Sequence, residues 1–173
     1  RIQYGTSMCY PISSMGSHVS VVPNHQLNRI TSLHTRANVA YFGTFGYELD
    51  LNKLTDEEIA EVKAQIIFMK EYRELIQFGN FYRLKSPFDG NETVWMTVSE
   101  DKRKALVFWY RERNVVNAEF TRVRLQGLDP DLIYKNEYNG TENYGDELMN
   151  LGLLTTDVTA GEPTNEDLPC TDY

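Results

Sequence analysis

Residues 55–79 read TDEEIAEVKAQIIFMKEYRELIQFG. This stretch predicts one long helix, from about Thr55 to Gln77. Thr55 and Glu58 form a capping box, in which each side chain satisfies a backbone amide of the other residue at the helix start. Gly79 is a typical helix terminator. Apolar residues recur at helical spacing and predict one buried face; these are Ile59, Val62, Ile66, Met69 and Ile76.

The segment that precedes this helix is less regular. A buried strand is expected around Val19–Val22, because Pro23 would end it. A second helix is expected from about Ser32 to Phe42. Apolar and polar residues then alternate over 45–51, a pattern that fits either a strand or an extended loop. This part of the chain therefore mixes helices with extended segments.

After Gly79 the apolar pattern changes from the helical period to a period of two. This alternation, punctuated by turn residues, predicts a series of short antiparallel strands packed as a sandwich. A single helical turn is expected between Gly145 and Leu153. The change of period places a domain boundary near residue 80, between domains 1–80 and 81–173. The predicted strands are Phe81–Leu84, Thr93–Ser99, Ala105–Arg113, Phe120–Gln126 and Leu132–Tyr138.

The net charge of −8 is unevenly distributed, since residues 129–173 hold eleven acidic residues and one basic residue. This acidic end argues against nucleic acid or a membrane surface as partner. No run of about 18 apolar residues suggests a membrane span. The two cysteines, Cys9 and Cys170, are far apart, and a secreted disulfide scaffold would carry more. They predict free thiols in a cytoplasmic protein.

The residues that could carry chemistry give weak signals by themselves. The spacing of His18, His25 and His34 matches no zinc motif, so we expect neither a metal nor a cofactor. His18 and His25 flank the expected strand, where each is either a structural histidine or part of a pocket. Cys9 has no local signature of a nucleophile.

Carboxylates and arginines raise two further hypotheses. Glycoside hydrolysis needs two carboxylates that face each other across the scissile bond. The best-placed pairs are Glu48 with Asp50 and Asp146 with Glu147, although a cap or turn role is favoured for both pairs. Four arginines recur at a spacing of two and could form an anion site, but pairing with glutamate on a solvated face is favoured; they are Arg111, Arg113, Arg122 and Arg124.

Several unbroken blocks of sequence resemble the bacterial α-galactosidases of glycoside hydrolase family 36. They follow the order of that family and extend from the first residues to about Leu153. The blocks are Gln3–Ser7, Tyr10–Ser20, Val22–Gln26, Phe45–Asp50, Lys70–Arg73, Leu75–Gly79, Phe81–Leu84, Ser86–Phe88, Gly90–Glu92, Gly127–Pro130 and Gly145–Met149.

The resemblance implies an α+β architecture: the end of a (β/α)8 barrel, with its last strand near Met15–Val21 and the closing helices, followed by an antiparallel all-β sandwich. It also implies retaining hydrolysis of terminal α-galactosides such as melibiose and raffinose. Neither of the family's two aspartate motifs occurs in this sequence, so no catalytic residue is assigned. The chain then reads as the carboxy-terminal piece of a larger enzyme, inactive alone and expected to form homo-oligomers.

Four residues that are expected in the loop leaving the predicted last strand are candidates for lining the substrate pocket: His18, Ser20, Asn24 and His25. Barrel active sites lie at the carboxyl ends of the strands. These four residues are candidates because they lie near the carboxyl end of the predicted strand. A different class of function stays open, namely a stand-alone carbohydrate-binding module or a structural, oligomerising β module. The binding module would need an exposed aromatic platform, built from Trp95, Trp109 or Tyr110.

Overall fold

The computed structural model describes residues 1–113 and 121–155. The chain divides into two compact units, one covering Arg1–Phe78 and the other beginning at Gly79. Three expectations fall partly or wholly outside the described residues: the start of the predicted strand at Phe120, the thiol of Cys170 and the acidic end beyond Thr155.

The first unit is built around two parallel strands. It contains α1 (Ile2–Ser7), β1 (Gly16–Ser20), α2 (Leu33–Ala40), β2 (Thr44–Glu48) and α3 (Asp56–Phe78). β1 and β2 pair in parallel, and α2 connects them. Short 3₁₀ turns at Ile12–Ser14 and Leu51–Lys53 precede β1 and follow β2.

The helix starts follow the sequence signals closely. The Thr55 amide donates to Glu58 Oε2 at 2.9 Å, and the Glu58 amide donates to Thr55 Oγ1 at 3.2 Å, which confirms the predicted capping box. At the start of α2, the Thr35 amide donates to Ser32 Oγ at 3.1 Å. Each cap satisfies amides that have no partner within the helix. The apolar stripe of α3 is buried at Val62, Met69 and Ile76.

In residues 79–113 and 121–155, the second unit consists of antiparallel strands and one short helix. Its strands are β3 (Asn80–Lys85), β4 (Glu92–Val98), β5 (Ala105–Arg111), β6 (Arg122–Val123), β7 (Ile133–Lys135), β8 (Glu142–Tyr144) and β9 (Leu153–Leu154), and its helix is α4 (Gly145–Asn150). In the described residues, β3, β4 and β5 form one sheet, while β6 pairs with β9 and β7 with β8.

One apolar core stabilises this second unit. Alternate residues of β4 supply Val94, Met96 and Val98, which are at most 1% exposed. Because side chains alternate across a strand, the same face of β5 contributes Val107 and Trp109. β6, the loops and α4 cover this face with a buried valine and leucines, namely Val123, Leu125, Leu128 and Leu148.

Three expectations need correction. The last barrel strand was expected near Met15–Val21, but β2 (Thr44–Glu48) follows β1 and pairs with it in parallel, because the first part of the alternating segment at 45–51 is a strand rather than a loop. β1 is buried on one face only, and Val21 beyond it is 52% exposed. The described part of the strand predicted at 120–126 is extended only at Arg122–Val123, and the strands β8 and β9 were not predicted.

Candidate functional site

The parallel strands of the first unit have two faces of different character. The register pairs Ser17 with Phe45 and Val19 with Tyr47, so these four side chains share one face. We call this the helix-covered face, because α1, α2 and α3 contact it. For example, Gln3 Nε2 donates to Ser17 Oγ at 2.7 Å, and the Tyr41 ring stacks on Phe45 at a centroid distance of 5.1 Å.

The opposite face carries the first two predicted pocket residues. The register pairs His18 with Gly46 and Ser20 with Glu48, and we call this the histidine face. His18, Ser20 and Glu48 are all exposed. Parallel strands end at the same edge of a sheet, so Ser20 and Glu48 lie side by side at the carboxyl ends of β1 and β2. His18 and Ser20 were expected in the loop after the strand, but both lie within β1 itself, on one surface with Glu48.

Glycines leave room for the His18 ring on this face. A Cβ atom built on Gly46 would lie 2.8 Å from His18 Cδ2 and 3.4 Å from His18 Nε2. A Cβ on Gly16 would lie 3.5 Å from His18 Cε1. The imidazole therefore leans across the strand pair, over backbone positions that carry no side chain.

The other two candidates lie in the loop that follows β1. Asn24 Oδ1 accepts hydrogen bonds from the amides of Gln26 and Leu27, both at 3.0 Å. The Asn24 backbone closes the same loop through Arg29 and Asn28, at 2.8 and 2.7 Å. The Asn24 side chain thus holds a turn, while His25 is exposed. Their place in a pocket stays a prediction.

A polar chain lies behind the helix-covered face. Tyr47 Oη donates to Gln65 Oε1 at 2.8 Å, and Gln65 Nε2 donates to Glu61 Oε1 at 2.7 Å. Burial, and secondly the charge of Glu61, raises the pKa of Tyr47 to about 12. Burial likewise raises the pKa of Tyr41, with smaller contributions from Tyr47 and Glu61. Both phenols are therefore neutral near neutral pH, and that of Tyr47 acts as a hydrogen-bond donor.

Comparison with known proteins gives two family models that match successive parts of the chain. The Melibiase model matches residues 1–79, and the model of the glycosyl hydrolase family 36 C-terminal domain matches residues 92–169. α-Galactosidase AgaA of Geobacillus stearothermophilus is 54% identical over 153 residues, 88% of this chain. The chain belongs to glycoside hydrolase family 36. It spans about a fifth of the curated relatives it matches, 21% in the case of AgaA.

Solved structures of α-galactosidases share the fold of this chain. The α-galactosidase of Lactobacillus brevis superposes with a TM-score of 0.88 at 46% identity, covering 99% of this chain and 23% of that enzyme. A variant of Geobacillus AgaA in complex with raffinose gives a TM-score of 0.86 at 51% identity, covering 92% of this chain and 22% of that enzyme. The chain has the α+β architecture expected from the sequence, a barrel end followed by an antiparallel β domain.

The carboxylate pairs take the cap and turn roles that the sequence favoured, with one exception. Asp50 Oδ1 accepts from the amide and side chain of Asn52, at 3.1 and 3.0 Å, and these hydrogen bonds lower the pKa of Asp50. Glu147 Oε2 accepts from the Tyr144 amide at 3.2 Å beside Asp146, in the first turn of α4. Glu48 is the exception, since it lies on the histidine face. The period-two alternation of 45–51 was the signal that could have placed it there.

Of the two arginine hypotheses, an anion site or pairing with glutamate, the structure shows pairing with a glutamate for Arg111. Arg111 Nη2 lies 3.1 Å from Glu92 Oε1, and Lys85 Nζ lies 2.5 Å from Glu92 Oε2. Burial alone would raise the pKa of Glu92, but the hydrogen bonds and charges of Lys85 and Arg111 outweigh it and lower that pKa. Arg122 Nη1 donates to the Gly152 carbonyl at 3.0 Å. Arg111 thus pairs with a glutamate as the sequence favoured, but the pair is not on a solvated face, since Arg111 is only 7% exposed.

The proposed aromatic platform is divided between two faces of the sheet. Trp109 pairs with Val94 and packs against the apolar core. Trp95 pairs with Phe108, and Tyr110 with Thr93, so Trp95 and Tyr110 lie on the opposite face. The three aromatic rings therefore do not form one flat surface.

Three other features concern residues 1–113 and 121–155: a metal site, a membrane-spanning helix and a free thiol. No group of three or more His, Cys, Asp or Glu side chains there is arranged to hold a metal ion. No helix in these residues has the length and apolar character needed to cross a membrane. The Cys9 thiol is exposed and free.

Proposed function

We propose that this chain is part of an α-galactosidase that hydrolyses terminal α-galactosides, such as melibiose and raffinose, with retention of configuration. Membership of family 36 supports this reaction. The observation that carries the proposal is the histidine face: an exposed surface with polar groups at the carboxyl ends of two parallel barrel strands. Active sites of (β/α)8 barrels are built at that end of the strands.

The chemistry of a retaining glycosidase requires one carboxylate to attack the anomeric carbon and a second to protonate the leaving oxygen. We assign neither role to this chain, in which Asp50, Asp146 and Glu147 hold turns or a helix start. Residues 1–80 instead close the catalytic barrel, and residues 81–173 form the β domain. The chain therefore serves as scaffold and as one wall of the substrate pocket.

His18 and Ser20 are the residues we place in that wall. A neutral imidazole has one donor and one acceptor nitrogen, and a hydroxyl both donates and accepts, so each suits a sugar hydroxyl. Asn24 and His25 follow β1 in the adjoining loop, and we place them at the rim. Asn24 is the weaker of the two, because its side chain already holds a turn.

Turnover by the full-length protein that contains this chain tests the proposal. We expect it to hydrolyse a chromogenic α-galactoside and to release galactose from raffinose, while residues 1–173 alone show no turnover. His18→Ala in the full-length protein should raise KM, and a His25→Ala variant with unaltered kinetics would remove His25 from the pocket. A full-length protein that is folded yet inactive on both sugars would refute the proposal.

A structural, oligomerising role for the β domain is the second candidate. The second unit exposes several large apolar side chains, including Phe88 at 61%, Ile133 at 57% and Tyr138 at 83%. A contiguous exposed apolar surface marks a protein contact, and we propose that these side chains contribute to one in a homo-oligomer in the cytoplasm. Light scattering that gives a monomer for the full-length protein would argue against it. A stand-alone carbohydrate-binding role would require calorimetric binding of galactosides by residues 81–173, and the divided aromatic rings disfavour it.

A further inference from the structure

The His18 ring and Gly46 are too close for any side chain at position 46. Heavy atoms that are not bonded rarely approach within 3.0 Å of a Cβ, and a Cβ at this position would lie 2.8 Å from His18 Cδ2. Gly16, on the other side of the ring, leaves an ordinary contact distance of 3.5 Å to His18 Cε1. The two glycines therefore differ in what they permit: only Gly46 is required for the observed position of the ring.

The backbone of β1 and β2 is fixed by packing and hydrogen bonds, whereas, in the part of the chain that the structure describes, the imidazole ring of His18 is not. Val19, next to His18, is fully buried, and the Thr44 amide donates to the Met15 carbonyl at 2.6 Å at the start of the strand pair. Within the described residues, no hydrogen bond or ion pair involves the imidazole of exposed His18. A methyl group at position 46 would therefore move the ring rather than the backbone, since a side-chain rotation costs less than breaking a strand ladder.

We propose that Gly46 is a positioning residue for His18: its bare backbone lets the imidazole lie across β2, so that the ring lines the galactoside pocket instead of projecting into it. The inference rests on the proposed function, which places His18 in the pocket wall. It adds that His18 and Gly46 act as one unit, and that the space above the ring accommodates sugar. A ring displaced by a side chain at position 46 would occupy that space and lose its contact with the sugar hydroxyl.

A double-mutant cycle in the full-length protein tests this coupling, with a chromogenic α-galactoside as substrate. Gly46→Ala should raise KM about tenfold and leave kcat within about twofold, because it removes binding that is common to the ground state and the transition state. His18→Ala should raise KM as well. In the His18→Ala background, Gly46→Ala should change KM no further, because the obstructing ring is gone. Gly16→Ala is the matched control and should leave both constants unchanged.

The other outcomes separate the inference from the proposed function. An equal rise in KM from Gly46→Ala in both backgrounds would overturn the positioning role and leave α-galactosidase activity intact. So would a Gly46→Ala variant that fails to fold with or without the His18 ring, as seen by circular dichroism. A His18→Ala variant with unchanged KM would remove both His18 and Gly46 from the pocket. An inactive, folded full-length protein would refute the proposed function itself.

Discussion

The two units use the faces of their sheets in opposite ways. In the parallel pair of the first unit, helices cover the face of Ser17 and Val19, and the face of His18 and Ser20 is exposed. In the antiparallel sheet of the second unit, β4 is buried on both faces: Met96 points into the core, and Thr97 on the opposite face is also 0% exposed. The first unit therefore leaves one face of its strands exposed, the face on which we propose sugar binding, whereas the second unit buries residues on both faces of β4.

This contrast can be tested because different signals report the two units. Both tryptophans, Trp95 and Trp109, belong to the second unit, so tryptophan fluorescence follows its unfolding. The 23-residue helix α3 belongs to the first unit and dominates the helical circular dichroism. Substitutions in each unit should change the corresponding unfolding transition.

The largest effect is expected in the core of the second unit. Met96→Ala should lower the free energy of unfolding by about 3 kcal/mol, because it deletes a fully buried side chain and leaves a cavity. Urea unfolding followed by tryptophan fluorescence measures it. Lys104→Ala, at an exposed position in the turn between β4 and β5, is the control and should change stability by less than about 0.5 kcal/mol. Equal losses in the two variants would contradict the assignment of the core.

The second-largest loss of stability is expected when the ion pairs of Glu92 are removed. Glu92→Gln should cost about 2 kcal/mol, less than breaking a fully buried pair, because Lys85 is 34% exposed. The folded state lowers the pKa of Glu92 from its ordinary value of 4.5. Its contribution to stability is therefore present above pH 4.5 and lost as the pH falls through the lower folded pKa.

Fluorescence-detected unfolding at several pH values checks this sign. The difference in stability between the wild type and Glu92→Gln should be largest near neutral pH and should shrink as the pH falls below 4.5. A difference that grows towards low pH would show that the folded state raises the pKa instead.

A smaller loss of stability is expected from a substitution on the helix-covered face of the parallel strands. Tyr47→Phe removes the donor to Gln65 Oε1 and leaves a buried amide oxygen without that hydrogen bond. We expect a loss of about 1.5 kcal/mol in the unfolding transition followed by circular dichroism. KM of the full-length enzyme should not change, because Tyr47 lies on the helix-covered face. A rise in KM with unchanged stability would contradict the division between the two faces.

Local signals made the helices of the first unit predictable. The capping pair Thr55 and Glu58 and the apolar spacing of α3 are contained within a single stretch of sequence, so they needed no knowledge of distant partners. β2 could not be distinguished from an extended loop, since its partner β1 lies more than twenty residues earlier and only that pairing makes it a strand. The two-residue strands β6 and β9 depend on each other in the same way.

The candidate site, like the fold, was predictable only where the signal lies within a single element. Alternation along β1 could separate His18 and Ser20 from Ser17 and Val19, because it is a property of one strand. The proximity of Glu48 to Ser20 and of Gly46 to His18 depends on the register between β1 and β2, which neither strand specifies by itself. The turn-holding role of Asn24 could be expected from its residue type, since asparagine side chains often accept hydrogen bonds from amides two residues later.

The smallest effects give the most direct test of the contrast, because they compare two serines of the same strand. Ser17 is 7% exposed and accepts from Gln3 Nε2 at 2.7 Å, so Ser17→Ala should cost about 1 kcal/mol of stability and leave KM unchanged. Ser20 is exposed on the histidine face, so Ser20→Ala should leave stability within about 0.5 kcal/mol and raise KM. Circular dichroism of both variants and α-galactoside kinetics of the full-length enzyme supply the two readouts. If both serines affected stability alone, the exposed face of β1 would be a structural surface, and the pocket wall would have to be sought elsewhere.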